Sequence, residues 1–229
     1  MIMTKDTGND IEAVIGEYKT NIEECHRYAS FDYCYGYFKS TSDLTKDIEK
    51  SCLVLGFYLA SWGMYRGSSF ILQKSVKYLQ RTIVYISKLD KSYWEIDVDY
   101  SDDNIKKIKE IYDGIKDILI KNKEADLTLI TKILLGVFGF VPAYDNYFCD
   151  TFRNRYKGQS GFRRVNEKSL KLISHFYTEN KDIIDKYAKE IYVLSFDENK
   201  QTRINYPKAK IIDMYGFQKG LNEKKKERK

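Results

Sequence analysis

The sequence predicts an all-α fold, a compact multi-helix single domain, on three observations. Only two prolines, Pro142 and Pro207, interrupt the 229 residues. Apolar residues recur at helical spacing in long segments, as in Ile105, Ile108, Ile111, Tyr112, Ile115, Ile118 and Leu119, the period of a helix with one face on a core. A hydrophobic fraction of 43%, with 20 Tyr and 12 Phe, provides for a real core at single-domain length, with two helical lobes around a cleft as the alternative arrangement.

Taken in order, Ile11 to Glu24 reads as an amphipathic helix, and an aromatic stretch follows from Tyr28 to Phe38. Leu44 to Tyr65 reads as a long helix, apolar on nearly every side from Cys52 to Trp62, and such a helix belongs in the centre of a domain. Arg66-Gly67-Ser68-Ser69 breaks it: Gly67 suits a C-terminal cap, and either serine can cap a next helix from Phe70 to Leu89. Lys91 to Asn104, acidic and aromatic, reads as a loop before a helix over Ile105 to Lys121. Asp126 or Thr128 caps another helix that ends near Phe138 to Phe140. Pro142 fits the first turn of the following helix, which reaches Tyr156 and holds Asp145 within that turn. A basic glycine-containing loop spans Lys157 to Arg164, then helices run over Asn166 to Thr178 and Asn180 to Leu194, and a last one from Tyr206-Pro207 to Gln218. The helical domain is assigned to residues 1–220, and 221–229 are expected to form a disordered basic tail.

Formal net charge is +6, and +4 of it falls from Lys219 onward (six basic residues against Glu223 and Glu227). The body is nearly neutral, so any basic surface must come from local clustering. Cys25, Cys34, Cys52 and Cys149 form no CxxC pair, which argues against a disulfide framework and a zinc site alike. The first ten residues are polar and mixed in charge, unlike a signal peptide, and no apolar run reaches the ~18 residues of a membrane span. A cytoplasmic, non-membrane protein is expected, acting as a monomer. No HExxH, GxSxG or GxxxxGK[ST] occurs, and His26 and His175 lie on unrelated elements, so no metal or other cofactor is expected.

The informative segment is Thr131 to Phe148, TKILLGVFGFVPAYDNYF. It has a helix bearing Lys132, an apolar turn spaced by Gly136 and Gly139, and Pro-x-x-Asp opening another helix. Asp145 near a helix N-terminus is favoured as a carboxylate by the helix dipole. Read alone, the aspartate is equally a cap and the glycines equally a means of close helix packing. The segment resembles the catalytic region of the helix-hairpin-helix DNA glycosylase superfamily in its compact bacterial form, where a lysine-bearing helix, a hairpin and a Pro-x-(x)-Asp step precede the catalytic helix. Lys132 and Asp145 match the lysine and the aspartate. Leu135-Gly136-Val137-Phe138-Gly139 is loosely similar to the hairpin, with one extra residue between its glycines.

The resemblance implies base flipping and cleavage of an N-glycosidic bond. Asp145 stabilises the oxocarbenium-like state, and Lys132 acts either as an amine nucleophile with lyase activity or as a phosphate contact. It also implies that amides around Gly136 and Gly139 meet a phosphate. Some bacterial members of this kind remove hypermodified bases, such as glucosylated hydroxymethylcytosine, from phage DNA, and the resemblance permits that role in antiviral defence. The densest basic cluster of the body, Arg153, Arg155, Lys157, Arg163 and Arg164, is interleaved with Tyr156 and Phe162 and suits a DNA backbone with wedged bases, although a solvated loop explains it nearly as well. Trp62, Tyr65, Arg66 and Gln73, with Tyr144 beside the aspartate, are the candidates for a base pocket, against the plainer reading of Trp62 as core. The competing functional readings are a non-enzymatic helical interaction protein and a nucleic-acid-binding domain without chemistry.

Overall fold

The computed structural model describes residues 8–122, 124–197 and 202–227. These form α1 (Gly8–Lys19), α2 (Ser30–Ser40), α3 (Ile48–Ser61), α4 (Gln80–Ile86), α5 (Asp102–Leu119), α6 (Leu127–Phe138), α7 (Asn146–Arg155), α8 (Glu167–Glu179), α9 (Lys181–Glu190) and α10 (Lys208–Glu227). The fold is all-α. Among the described residues, the extended pairing is an isolated antiparallel bridge between Tyr192 and Asn205, and no helix is long and apolar enough to cross a membrane.

Two helices run through the core. In α6 every residue from Leu129 to Phe138 is buried, and in α10 every residue from Ala209 to Gln218. Lys132 of α6 and Lys210 and Asp213 of α10 are carried inside with them, and a charge removed from water needs a partner. The sequence points to α3 as the central helix, but α3 leaves Leu53 48% and Phe57 67% exposed. Its C-terminal half instead packs one face on α6, where Tyr58 fills the notch left by Gly136.

The structure departs from the sequence reading at three further places. The segment from Phe70 is not one helix: it makes two 3-10 turns, broken where Lys74 and Ser75 take extended backbone, before α4 begins. Pro142 lies in a buried non-helical segment between α6 and α7, and α7 starts only at Asn146. The expected tail is helical through Glu227. Leu221 packs on the core, and Lys224 pairs with Asp150 at 3.1 Å over the Tyr147 ring, so the last turns of α10 have contacts that a free tail lacks.

The loop at Lys91 to Asn104 does structural work at the other end of α10. Asp97 accepts hydrogen bonds from the backbone amides of Lys208 (2.8 Å) and Ala209 (2.9 Å), satisfying two of the unpaired donors at the N-terminus of α10. Where α10 crosses α7, Gly216 and Gly220 leave no room for a Cβ against Phe148 and the Tyr147 carbonyl respectively. That is close contact of helix with helix, one turn apart.

The Tyr58–Gly136 contact is testable. Tyr58 is 2% exposed, so its ring cannot swing into solvent to admit a methyl. Gly136→Ala is expected to destabilise the protein by about 1–3 kcal/mol, read as a lowered midpoint of thermal or urea unfolding. An unchanged midpoint means that the α3–α6 contact is looser than described.

Candidate active site

Asp145 is positioned by its own helix. It is the N-cap of α7, with extended backbone, and its Oδ1 accepts the Phe148 amide at 3.0 Å. The preceding residues are fixed on both sides. The Ala143 amide donates to Asp213 Oδ1 of α10 at 3.0 Å. The Tyr144 amide donates to Thr131 Oγ1 of α6 at 2.9 Å, and the Tyr144 carbonyl accepts from Thr128 Oγ1 at 3.0 Å. The non-helical backbone of this buried segment is thereby satisfied by side chains rather than by water.

Lys132, one helical turn beyond Thr128, is 5% exposed. Its Nζ donates to the Trp62 carbonyl at 2.5 Å, at the end of α3 where Trp62 and the left-handed Gly63 (φ 78°) close the helix. A cation there meets the negative end of the α3 dipole. Lys132 and Asp145 both line a cavity of about 390 Å³, with Trp62, Met64, Arg27 and Arg66 on one side and Asn146, Tyr147 and Phe217 on the other. The wall is aromatic at its base: Trp62 meets Phe217 edge-on at 5.6 Å, and Phe217 meets Tyr147 at 5.2 Å. Trp62 also has a buried indole N–H without a partner.

The charges in this cavity perturb one another. Burial pushes the Lys132 ammonium below its usual pKa, with Arg66 and Arg27 adding repulsion and Asp145 and Asp213 opposing. Burial pushes the Asp145 carboxyl above the ordinary carboxylate value, held back by Lys132 and by the Phe148 amide. Desolvation thus runs against the ionisation that a helix N-terminus favours. Arg27 stacks on Tyr28 and Trp62, each at 5.3 Å, and Arg66 lies over Gly63. Neither arginine has a carboxylate partner among the described residues, so both are left to meet an anion. Asp213, the other carboxylate near Lys132, is paired with Lys210 at 2.8 Å.

No protein-family model, curated protein or solved structure matches the chain. The site therefore stands on its geometry.

Of the residues singled out in the sequence, Asp145, Lys132, Trp62 and Arg66 come together in the cavity. Tyr65 and Gln73 are not in its wall; Tyr65 packs on the core and Gln73 is exposed on a 3-10 turn. Tyr144 is 1% exposed and bonded to Ser169 at 3.1 Å, a core residue rather than a substrate contact. Gly136 lies inside α6, and the Gly139 amide is spent on the carbonyls of Leu134 and Leu135. Both glycines face packed side chains, Tyr58 for one and Pro207 and Tyr35 for the other. The hairpin-like turn thus has no amides to offer a phosphate.

The basic cluster is also dispersed. Arg155 is drawn inward to Glu179 (3.1 Å) and over the Phe176 ring. Arg153 holds its own loop through Asp150 and the Gly161 carbonyl. Lys157, Arg163 and Arg164 are exposed, but none of them lines the cavity that holds Asp145. Tyr156 and Phe162, the expected wedges, are 6% and 1% exposed and pack in the aromatic core. Among the described residues, no group of three or more His, Cys, Asp or Glu is placed to hold a metal ion.

Sequence reasoning missed Arg27, Asn146, Tyr147, Phe217 and the pair Lys210–Asp213. Arg27 sits in an exposed turn that carries no periodic signal. The pair had one: two charges a helical turn apart inside an otherwise apolar run. Lys210 Nζ also donates to Tyr18 Oη at 2.9 Å and lies 4.7 Å from the Phe31 ring centroid and 5.3 Å from that of Trp62.

Two measurements follow. Removing the charge in Lys132→Met is expected to move the Asp145 titration to higher pH, since that charge opposes the burial effect, and carbon NMR of the carboxyl reads it; an unmoved titration means that the two groups do not share the cavity. Lys210→Met leaves Asp213 buried without its cation and is expected to cost about 3–5 kcal/mol in denaturant unfolding, with part recovered when Asp213→Asn is added. No recovery means that packing around Lys210, rather than the ion pair, sets the cost.

Proposed function

We propose that this protein is a DNA glycosylase whose catalytic carboxylate is Asp145. One observation carries the reading: Asp145, Lys132, Trp62 and Arg66, separated in sequence, line one cavity with Arg27 and an aromatic wall. A flipped nucleotide needs a surface for its flat base, cations for its phosphates and a carboxylate near C1′. Trp62, Tyr147 and Phe217 provide the first, Arg27 and Arg66 the second, and Asp145 the third.

On this reading the C1′–N bond breaks with its electron pair leaving on the base. The Asp145 carboxylate stabilises the positive charge that develops on the sugar. Water then adds to C1′ and gives a proton to Asp145, which passes it on, so the products are a protonated free base and an abasic sugar. Lys132 supplies the positive charge that favours the ionised form of Asp145. Its burial and lowered pKa favour a second role, attack on C1′ as a neutral amine with loss of the base, and borohydride trapping of a covalent protein–DNA adduct tests it.

A second hollow of about 710 Å³ shares Gly63, Met64, Arg66, Thr128 and Asn146 with the cavity and continues along Ser68, Ser69, Glu124 and Asp126. The Ser68 and Ser69 hydroxyls beside the apolar Phe70 and Leu127 in this annex support the finer reading that the excised base carries a hydroxylated substituent, as in the hypermodified bases of phage DNA.

The test is base release from unmodified bacterial DNA and from DNA carrying glucosylated hydroxymethylcytosine, with abasic sites counted by an aldehyde-reactive probe. Asn can replace Asp as an N-cap, so Asp145→Asn is expected to stay folded and to bind DNA as before while releasing base at a rate lower by roughly 10²–10³-fold. A variant as active as the parent removes Asp145 from the mechanism.

A further inference from the structure

The proposed chemistry leaves open what holds the DNA strand on either side of the cavity. The glycines to which the resemblance assigns that task are buried with their amides spent, and none of Lys157, Arg163 and Arg164 is in the cavity wall.

The C-terminal turns of α10 lie at the cavity instead. Phe217 and Leu221 are in its wall, and the helix continues without a break to Glu227. Residues four apart share a helix face, so Lys225 lies on the face that presents Leu221, one turn further on. Glu223 and Glu227 fall on the opposite side of the helix. Lys225 is exposed and has no carboxylate partner among the described residues, whereas Lys224 beside it is held by Asp150. The acidic side chain bonded in this stretch, Glu17, is taken up by Asn222. At the same wall Arg27 stacks on Tyr28, whose ring in turn meets Phe217 at 6.3 Å.

We infer that the backbone of the substrate strand runs along the C-terminal turns of α10, held by Arg27, Arg66 and Lys225, and that the 157–164 loop takes no part. The inference rests on the reading of the cavity as a nucleotide site. Each phosphate neutralised by a cation releases counterions and adds about 0.9 to the slope of log affinity against log salt. That number is a direct count of contacts, independent of any chemistry on the base.

The experiment measures binding of the full chain to duplex DNA containing a tetrahydrofuran abasic analogue, between 50 and 200 mM salt. Arg27→Gln, Arg66→Gln and Lys225→Gln are each expected to reduce the slope by about 0.9, so that each variant loses roughly three- to fourfold less affinity than the parent across that range. The double variant Arg163→Gln/Arg164→Gln is expected to keep the parent slope. Circular dichroism confirms that each variant is folded. The inference is overturned if the slope falls in the loop variant and not in the other three, or if the parent does not bind this duplex. Parent binding with the expected slopes but no base released from any DNA tested supports the strand path and counts against the glycosylase reading. Base release with slopes unmoved by the three variants does the reverse.

Discussion

Asp213 joins the two walls of the cavity. One of its carboxylate oxygens accepts the Ala143 amide and fixes the segment that leads to Asp145; the other accepts the ammonium of Lys210. Lys210 in turn lies against the rings of Tyr18, Phe31 and Trp62, and Trp62 bears the carbonyl that holds Lys132. The aspartate wall and the tryptophan wall thus meet at one carboxylate in the buried part of α10. A buried ion pair adds little net stability, because desolvation offsets the attraction, but losing either partner is costly. The pair therefore fixes a geometry more than it deepens a free-energy well.

Inside the cavity, burial moves the two central groups toward each other. Asp145 rises from the ordinary carboxylate value and Lys132 falls from the ordinary ammonium value. Groups placed this way are better able to exchange protons with a substrate near neutral pH than the same groups in water. Arg27 and Arg66 add to the fall of Lys132.

Much of the helical architecture could be read from spacing alone. The helices over Ile105 to Lys121, Asn166 to Thr178 and Asn180 to Leu194 correspond to α5, α8 and α9, because each buries a single apolar face and periodicity reports such a face directly. α3 and α6 show the limit of that signal. Both are apolar nearly all round, and composition cannot say which is central; the deciding feature is Gly136, which admits Tyr58 of α3 against α6. In the site, Asp145, Trp62 and Arg66 were legible because they stand beside helix ends, and Lys132 because it is the one charge within the apolar α6. Arg27 and Phe217 were not, since they reach the cavity only through long-range packing of α10 and the turn before α2. The basic cluster shows the opposite case: its cations are close in sequence, but Arg155 is turned inward to Glu179 and none of the group lines the cavity.

The crossing at Gly216 and Gly220 has a consequence for recognition. Gly216 seats the Phe148 ring and Gly220 seats the Tyr147 carbonyl, so α10 and the start of α7 are packed together as one piece of the cavity wall. On the proposed reading, the protein cannot fold around a base still stacked in the helix; the DNA must do the deforming. Extrusion costs least for a base that is mismatched, damaged or poorly stacked. A rigid receptor would then discriminate before any chemistry begins, by how readily a lesion leaves the duplex, and its selectivity would follow the mechanics of the DNA as much as the chemical identity of the base.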